Sequence, residues 1–428
     1  MYSKQIQEKT FTRGTLEGAA LLVTYFPTKG LVSFVGSIKG GSRGWGSSEL
    51  AHVHAAMLLE GTAKHSKKEI QQILDSIAAI LSFAVSDEQL VFSGRVRTVH
   101  LSRLLALIAE CLTLPTFPDA ELEVLKQREI SNLTLASQDT RQQAGILLTR
   151  VLYTAGHPNY EETTEESKKV LSKITGDFLR SRHAAMVDKR TLIVSIAGDI
   201  TMAKATAIME KNFTSLTKTN VIFLPYKKGQ TLTGQKVQTI IPNKASIDYM
   251  IGAYTGLTKA SKEYAALLLG MQILGNRGFS SRLMTAVREQ EGLTYGVYGY
   301  LAGFENAADG YLYIWATFAP QLFQKGRSSI MNQIRLIIDG GVTEEEVKKH
   351  SELYNARAKV QLSNSAAFAA TAQAVIADGL PLSHLDDFPK KILKLTASEV
   401  NETLKKYLVP EHMSESAAGP VEKNVLTR

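Results

Sequence analysis

Alternating apolar and polar positions predict that the chain begins with strands followed by helices. Leu21–Phe26 and Leu31–Ile38 are rich in β-branched and aromatic residues, and the turn formers Pro27–Gly30 separate them, which is typical of two strands. Apolar residues then recur every three to four positions in Glu49–Thr62 and in Ser66–Leu81. This spacing predicts two amphipathic helices.

The same mixture continues through the rest of the first half. Ser82–Phe92 predicts a strand, and Thr191–Ile196 predicts another that ends in Ala197-Gly198-Asp199. Between these strands, apolar stripes predict four helices, at Thr98–Leu112, Glu121–Ala136, Arg141–Tyr153 and Thr175–Val187.

Two short patterns recur in the second half in the same order as in the first. Pro118–Leu125 is similar to Val342–Lys349, and Leu171–Phe178 is similar to Ile392–Glu399, with offsets of 342 − 118 = 224 and 392 − 171 = 221 residues. Two similar offsets indicate a domain of roughly 220 residues that occurs twice.

A change of composition marks the predicted boundary between the two copies. Residues 212–235 are polar and lysine-rich, contain Pro225 and Gly229, and have no helical stripe, which favours a linker. The predicted domains are therefore residues 1–211 and 236–428.

Composition excludes several classes of protein. With 428 residues, 44% hydrophobic and 21% charged, the chain is globular and long enough for two or three domains. The net charge of +8 comes from scattered basic residues, without aromatic–basic stripes or zinc-finger spacing, so no nucleic-acid partner is expected. Cys111, the only cysteine, excludes an intrachain disulfide and a cysteine metal cluster, and its apolar neighbours indicate a buried thiol.

Hydropathy indicates no membrane partner. No run reaches the roughly 18 apolar residues that span a bilayer, and the first 15 residues lack the apolar core of a signal peptide. The expected compartment is the cytoplasm, or the periplasm if a leader has been removed.

The helix predicted at Glu49–Thr62 contains the first group of candidate chemical residues. It reads ELAHVHAAMLLEGT. His52 and His54 are two positions apart and point roughly 200° apart on a helix, whereas two zinc ligands on one helix lie three or four positions apart. One turn after His52 comes Ala56, preceded by Ala55, and alanine neither binds metal nor transfers protons.

This stretch resembles the signature of the pitrilysin/insulinase family of zinc peptidases, Ala-His-x-x-Glu-His-Met-x-x-x-Gly-Thr. The matching residues are Ala51, His52, Met57, Gly61 and Thr62. The resemblance implies that Ala55 replaces the general base and Ala56 the second zinc ligand. Aligned on Asp139, the family's third ligand, a glutamate on a later helix, corresponds to about Leu133. Because catalytic zinc takes three protein ligands, no metal and no cofactor are expected in this chain.

Residues 275–300 contain the second group, GNRGFSSRLMTAVREQEGLTYGVYGY. A glycine loop precedes a predicted helix that is capped by Ser280 or Ser281 and ends at Gly292, and a strand follows. Arg288 in the last turn and Tyr295 in the strand come close together if the turn is tight.

The same stretch resembles the family's second-domain motif. The matching residues are Ser280, Ser281, Arg282, Leu283, Val287, Arg288, Glu289, Gly292, Leu293 and Tyr295. The resemblance implies that Arg288 and Tyr295 hold the substrate backbone and polarise its carbonyl, because both side chains donate hydrogen bonds. The alternative is an arginine that offsets the helix dipole and a half-buried tyrosine. The loop 275–278 has fewer glycines than a flexible substrate-sensing loop would need.

The resemblance covers nearly the whole chain and implies an α+β fold. It consists of two homologous α/β sandwich-like domains, each a mostly antiparallel sheet flanked by helices. Ser82–Phe92 corresponds to the family's edge strand, on which an extended peptide pairs through backbone hydrogen bonds; a plain core strand is the alternative. His157, in a loop similar to the family's Gly-His-Pro-Tyr segment, is interpreted as structural.

Three functions fit these observations. The first is the substrate-holding subunit of a heterodimeric zinc peptidase that acts on short or unfolded peptides, with a homologous partner subunit that carries the zinc. The second is a non-catalytic scaffold or peptide-binding protein. The third is an enzyme with a rebuilt metal site of His52, His54 and His65, against which the helix geometry argues.

Overall fold

Two β-sheets organise the fold, one built from each half of the chain. The computed structural model describes residues 2–12, 16–219, 229, 233–275 and 281–426. The strands of the first sheet are β1 Ile6–Thr10, β2 Ala20–Tyr25, β3 Leu31–Lys39, β4 Ile80–Val85, β5 Gln89–Arg97 and β6 Ile193–Gly198. Their order is β1-β2-β6-β3-β5-β4, and only β2 and β6 pair in parallel.

The second sheet repeats this order with one strand fewer. Its strands are β7 Lys236–Ile240, β8 Ile247–Tyr254, β9 Thr294–Ala302, β10 Tyr311–Phe318 and β11 Ser414–Gly419. Their order is β7-β11-β8-β10-β9, and only β7 and β11 pair in parallel. Each sheet is mostly antiparallel and flanked by helices, which confirms the predicted α+β fold of two homologous parts.

The helices follow the same repeat. Those of the first half are α1 Ser42–Trp45, α2 Ser48–Met57, α3 Lys67–Ser76, α4 Leu101–Thr113, α5 Asp119–Ala136, α6 Thr140–Leu152, α7 Thr164–Leu171, α8 Gly176–Met186 and α9 Met202–Asn212. Those of the second half are α10 Tyr264–Gly275, the π-helix Met284–Gln290, α11 Phe323–Gly340, α12 Glu344–Gln361, α13 Ser365–Ala377, α14 His384–Leu393 and α15 Ala397–Tyr407. Single 3-10 turns occur at Ser3–Gln5, Thr98–His100, Lys189–Thr191, Glu305–Ala307, Pro320–Leu322 and Pro410–His412.

The two sequence repeats coincide with matching helix starts. Pro118–Leu125 leads into α5, and Val342–Lys349 leads into α12. In the other pair, the hydroxyls of Thr175 and Thr396 cap α8 and α15 by accepting hydrogen bonds from the third residue of each helix. Cap and helix therefore recur together, as expected for a repeated structural unit.

Contacts divide the chain into two units that each contain a segment from the other half. Unit 1 comprises Met1–Ser131, Glu165–Pro225 and Ala358–Asp386; unit 2 comprises Asn132–Thr164, Tyr226–Arg357 and Asp387–Arg428. In unit 1, α13 packs on β6 and β3, and in unit 2, α6 packs on β11 and β8. The predicted domains 1–211 and 236–428 are each continuous in sequence and therefore do not include this exchange of segments. Most of the predicted linker 212–235 lies outside the described residues.

The predicted strand Ser82–Phe92 is wrong in its bounds. The chain turns at residues 86–88 and forms a hairpin, so that Val85 in β4 pairs with Leu90 in β5. Among the helices of the described ranges, none is both long and apolar enough to cross a bilayer.

Close packing at Gly36 in β3 gives a test of the first sheet. A Cβ built there would lie 2.1 Å from Cζ of Phe92, which is the residue opposite it in β5. That ring is fully buried and cannot move aside. We expect Gly36→Ala to lower the free energy of unfolding by about 1–3 kcal/mol in urea titrations.

Gly340→Ala is the matched control. No atom lies within 4 Å of a Cβ at this last position of α11, so alanine should be neutral or stabilise by up to about 1 kcal/mol. Equal stabilities for the two variants would contradict the packing described for Gly36.

Candidate functional site

Helix α2 directs its two histidines into different surroundings. His52 is exposed, whereas Val53, His54 and Ala55 are buried. This agrees with the large angle expected between positions 52 and 54 on a helix. Ala55 and Ala56 contribute only methyl groups where the resemblance expects a base and a ligand, so α2 presents one imidazole to solvent and no second ligand.

His54 belongs to a buried hydrogen-bonded chain. Nε2 of His183 lies 2.9 Å from the carbonyl oxygen of Leu112, to which it must donate, and Nδ1 of the same ring therefore accepts from Nε2 of His54 at 2.7 Å. The rings of Trp45 and Phe117 lie against His54, with centroids 4.5 and 5.7 Å away. The arrangement connects α2 to α8 and is structural.

Both imidazoles are neutral at pH 7. Burial lowers the pKa of His183 to about 4, although the hydrogen bond to Leu112 opposes the shift. Burial, followed by repulsion from His183, holds the pKa of His54 well below its usual value.

The positions of His52, His54 and His65 do not fit a shared zinc ion. His65 pairs with Glu110 at 2.8 Å, His54 pairs with His183, and His52 is exposed on α2. Within the described ranges, no three His, Cys, Asp or Glu side chains are grouped as a metal would require. The hypothesis of a metal site rebuilt from His52, His54 and His65 has no support in this geometry.

Leu133, which the resemblance aligns with the third zinc ligand, lies in the last turn of α5 and is mostly buried. An apolar side chain is suited to that place and cannot coordinate metal. The nearby Asp139 caps α6 by accepting from the backbone N–H of Gln142 at 2.8 Å.

His157 is structural, as predicted. Its Nε2 lies 2.7 Å from Oδ1 of Asp309, and its ring stacks on Tyr153 with centroids 4.2 Å apart. The second carboxylate oxygen of Asp309 accepts from the hydroxyl of Tyr254. With these hydrogen bonds, mainly to His157, the pKa of Asp309 is lowered to about 2 although burial opposes the shift.

The first sheet ends in β4, which hydrogen-bonds to β5 on one side only. Alternate residues of β4 are exposed, including Ile80 at 67%. Helix α2 packs next to this strand. An edge strand with one unpaired side can accept an extended peptide as a further strand. Residues 82–85 of the predicted segment lie at this edge, as the resemblance implies, whereas residues 89–92 lie in β5, which pairs on both sides as the alternative of a core strand expects.

Arg288 and Tyr295 lie together in unit 2, as predicted. Arg288 belongs to the π-helix, which ends at Gln290, and two residues later Gly292 has a φ of +63° that favours glycine. The chain then reverses into β9, and the guanidinium carbon of Arg288 lies 5.0 Å from the centroid of the Tyr295 ring. A π-helix is an uncommon form that occurs frequently at functional sites.

A β-bulge aims the tyrosine outward. Thr294 pairs with Phe318 and Val297 with Ala316, which leaves two residues of β9 opposite one residue of β10. Such bulges redirect side chains, and Tyr295 is 84% exposed. The alternative of a half-buried tyrosine is wrong.

The other motif residues hold this turn in place. Ser281, Leu283, Met284 and Val287 are buried. Nε and one terminal nitrogen of Arg282 donate to the two carboxylate oxygens of Glu346 at 2.8 and 2.7 Å, and the terminal nitrogen also donates to the carbonyl of Gly341 at 2.7 Å. Sequence reasoning missed this role, since its acceptors lie about 60 residues away. Ser280 and the loop residues 276–278 lie outside the described residues.

The fold thus defines a two-part peptidase-like protein, and comparisons with known proteins agree. The profile described as "Insulinase (Peptidase family M16)" matches residues 30–158, and the profile "Peptidase M16 inactive domain" matches residues 173–354. The chain belongs to peptidase family M16, the pitrilysin/insulinase family. With Ala55, Ala56 and Leu133 at the positions that the resemblance assigns to the base and two zinc ligands, it is an inactive homologue of the family's peptidases.

Individual relatives cover most of the chain at low identity. "Non-peptidase homolog YmxG" of Helicobacter pylori is 24% identical over 360 residues, 83% of this chain and 81% of the relative. "Uncharacterized zinc protease YmxG" of Bacillus subtilis is 23% identical and covers 71% and 72%.

Solved structures share the fold. The "peptidase M16 inactive domain" from Pseudomonas fluorescens superposes with a TM-score of 0.88 at 24% identity, over 97% of this chain and 98% of the other. The periplasmic protease PqqL of Escherichia coli gives a TM-score of 0.77 at 14% identity, over 97% of this chain and 46% of PqqL.

The buried histidine pair predicts a loss of stability in acid. The pKa of His183 is lowered to about 4 when folded and is close to 6.5 when unfolded, so the unfolded chain binds more protons between these values. The contribution of His183 to the free energy of unfolding is therefore complete above pH 6.5 and is lost as the pH falls toward 4. We expect roughly 2–3 kcal/mol of this contribution to disappear between pH 7.5 and pH 4.5 in urea unfolding.

His183→Gln should flatten this dependence, because an amide can accept from His54 and donate to Leu112 without titrating. His52→Gln, at the exposed position of α2, is the control and should leave the slope unchanged. An unchanged slope in His183→Gln would show that the imidazole pair does not titrate as described.

Proposed function

We propose that this chain is the substrate-holding subunit of a heterodimeric zinc peptidase that cleaves short or unfolded peptides. Its partner would be a homologous subunit that carries the zinc, and the chain itself would hold none. The proposal depends most on one observation: Tyr295 is 84% exposed to solvent, with Arg288 against its ring.

The geometry suits a peptide carbonyl. Arg288 offers a fork of N–H donors and Tyr295 an O–H donor, and both would donate to the carbonyl oxygen of the bond to be cleaved. These hydrogen bonds strengthen as negative charge develops on that oxygen, so they favour the transition state over the bound substrate. The cation–π contact limits the freedom of both side chains before the peptide arrives.

The backbone of β4 would hold the rest of the peptide. Its unpaired side offers N–H and C=O groups to an extended chain, and this pairing needs no particular side chain. Folded proteins cannot present such an extended segment, which favours short or unfolded peptides. The zinc of the partner would activate the attacking water, a step to which this chain contributes no group.

The second candidate is a scaffold or peptide-binding protein. The edge strand β4 favours it, since pairing along that strand would be sufficient to bind a peptide without any cleavage. An open reading frame next to this one that encodes Ala-His-x-x-Glu-His would favour the peptidase instead.

For the compartment we propose the cytoplasm, with the periplasm as the alternative if a leader has been removed.

The isolated chain should be inert. Purified without a histidine tag, it should hold less than about 0.1 zinc per chain by mass spectrometry, because catalytic zinc needs three protein ligands. It should also release no fluorophore from quenched peptides. Stoichiometric zinc together with turnover by the isolated chain would refute the proposal.

Co-purification from the native host should recover the zinc-bearing partner, and the mixture should cleave peptides in a chelator-sensitive way. In that mixture we expect Arg288→Ala to lower kcat/KM by about 100-fold and Tyr295→Phe by about tenfold, as for other donors to a developing oxyanion.

Arg335→Ala is the control. Arg335 is an exposed arginine of α11 in the same unit, so its loss should leave cleavage within about twofold. Unchanged cleavage in Arg288→Ala would remove the assigned role and leave the binding protein as the better interpretation.

A further inference from the structure

Unit 2 has a cavity on the side of its sheet that α6 covers. The cavity measures about 380 Å³ and lies between the start of α6 and strand β10. Its polar and aromatic lining includes Asp139, Arg141, Gln142, Glu161, Tyr311 and Tyr313. None of these residues belongs to the Arg288/Tyr295 pair, so the cavity is a separate place where a ligand could be recognised.

Arg141 is held in a fixed orientation at the cavity wall. Its guanidinium carbon lies 3.9 Å from the ring centroid of Trp315. The indole N–H of Trp315 donates to Oδ1 of Asp248 at 2.6 Å, and the hydroxyl of Thr140 donates to Oδ2 at 2.5 Å. Asp248 is buried, so this connection is shielded from water and fixes the ring on which Arg141 stacks.

The stacked guanidinium retains the capacity to bind an anion. Stacking uses the face of the group and leaves its N–H donors at the perimeter. The side chain of Arg141 is exposed, and none of the described residues forms a salt bridge with it. A planar guanidinium whose N–H donors point away from the stacked ring can bind a carboxylate through two parallel hydrogen bonds.

A row of aromatic side chains, here called the aromatic wall, continues from Trp315 beside this cation. Tyr311 and Tyr313 alternate with Trp315 on one face of β10, and the first two rings stack with centroids 5.5 Å apart. On β9, Tyr300 stacks on Tyr313 at 5.1 Å and extends the wall. Such faces accept an apolar or cationic side chain.

The charges of the lining restrict the ligand further. Asp139 and Glu161 contribute two negative charges against one positive charge from Arg141. A ligand with several negative charges is therefore disfavoured, and one carboxylate next to an apolar or basic side chain is favoured. The last residue of a peptide has this combination.

We propose that the cavity binds the C-terminal residue of a short peptide, with the terminal carboxylate on Arg141 and the side chain against Tyr311 and Tyr313. The inference rests on the proposed function in that the ligand is a peptide. A pocket for the chain end would select peptides by their length as well as by their ability to extend, because a segment within a long chain has no free carboxylate.

The test compares two probes on the full-length chain without a partner. N-acetyl-Ala-Ala-Leu with a free carboxylate and its C-terminal amide are titrated by calorimetry. We expect the free acid to bind at least about tenfold tighter than the amide, because only the acid can accept two charge-assisted hydrogen bonds. Equal affinities of the unsubstituted chain for the two probes would overturn the proposal.

Arg141→Gln should lower the affinity for the free acid to that for the amide. Arg150→Gln is the matched control. Arg150 is on the same helix and stacks on Tyr160 at 4.6 Å but does not line the cavity. The Arg150→Gln variant should therefore still bind the free acid more tightly than the amide. A preference retained in Arg141→Gln would also overturn the proposal. Circular dichroism and thermal unfolding establish that each variant is folded.

Tryptophan fluorescence gives a second readout. The chain has two tryptophans, Trp45 and Trp315, so a Trp45→Phe background isolates the ring beneath Arg141. The free acid should change its emission and the amide should not. Arg288→Ala should leave the preference intact, so a failure of the cleavage role and a failure of this site give different results.

Discussion

Each sheet in this fold has two faces to bury, and a helix from the other half of the chain covers one of them. In unit 1 that helix is α13, which packs on β6, β3 and β2; in unit 2 it is α6, which packs on β11, β8 and β7. A mostly antiparallel sheet tolerates one partly open face. Helix α13 does not extend over β5 and β4 of the first sheet, and helix α6 does not extend over the whole of β10 and β9 of the second. The candidate binding features lie on these four strands. The partly exposed aromatic rings of β10 and β9 follow from this incomplete cover, whereas strand order places β4 at the edge and the β-bulge exposes Tyr295.

Helix α2, where the resemblance places the family's metal site, is packed into the core of unit 1. With alanine at positions 55 and 56, α2 packs closely and requires no buried charge. Its second histidine points inward and must find partners, which His183 and Leu112 supply in the neutral state. The helix therefore packs as part of the core, while the bulge of the second half exposes Tyr295, against which the half-buried Arg288 lies.

Much of the local structure could be predicted because it depends on neighbours in sequence. Apolar periodicity located most helices and strands within a few residues, and the repeated Thr175 and Thr396 caps indicated the duplication. The β4–β5 hairpin was predicted as one strand, because its turn at residues 86–88 contains no glycine or proline to mark it.

The sequence by itself determined which chemistry is absent: no fold can give Ala55, Ala56 or Leu133 a lone pair for zinc. Only the tertiary structure decided which side chains act together. His54 meets His183 across 129 residues, and Arg282 meets Glu346 across 64, so one arginine of the motif joins a distant helix while Arg288 lies against Tyr295. These pairings depend on how distant segments pack, and the spacing of residues along the chain contains no information about such contacts.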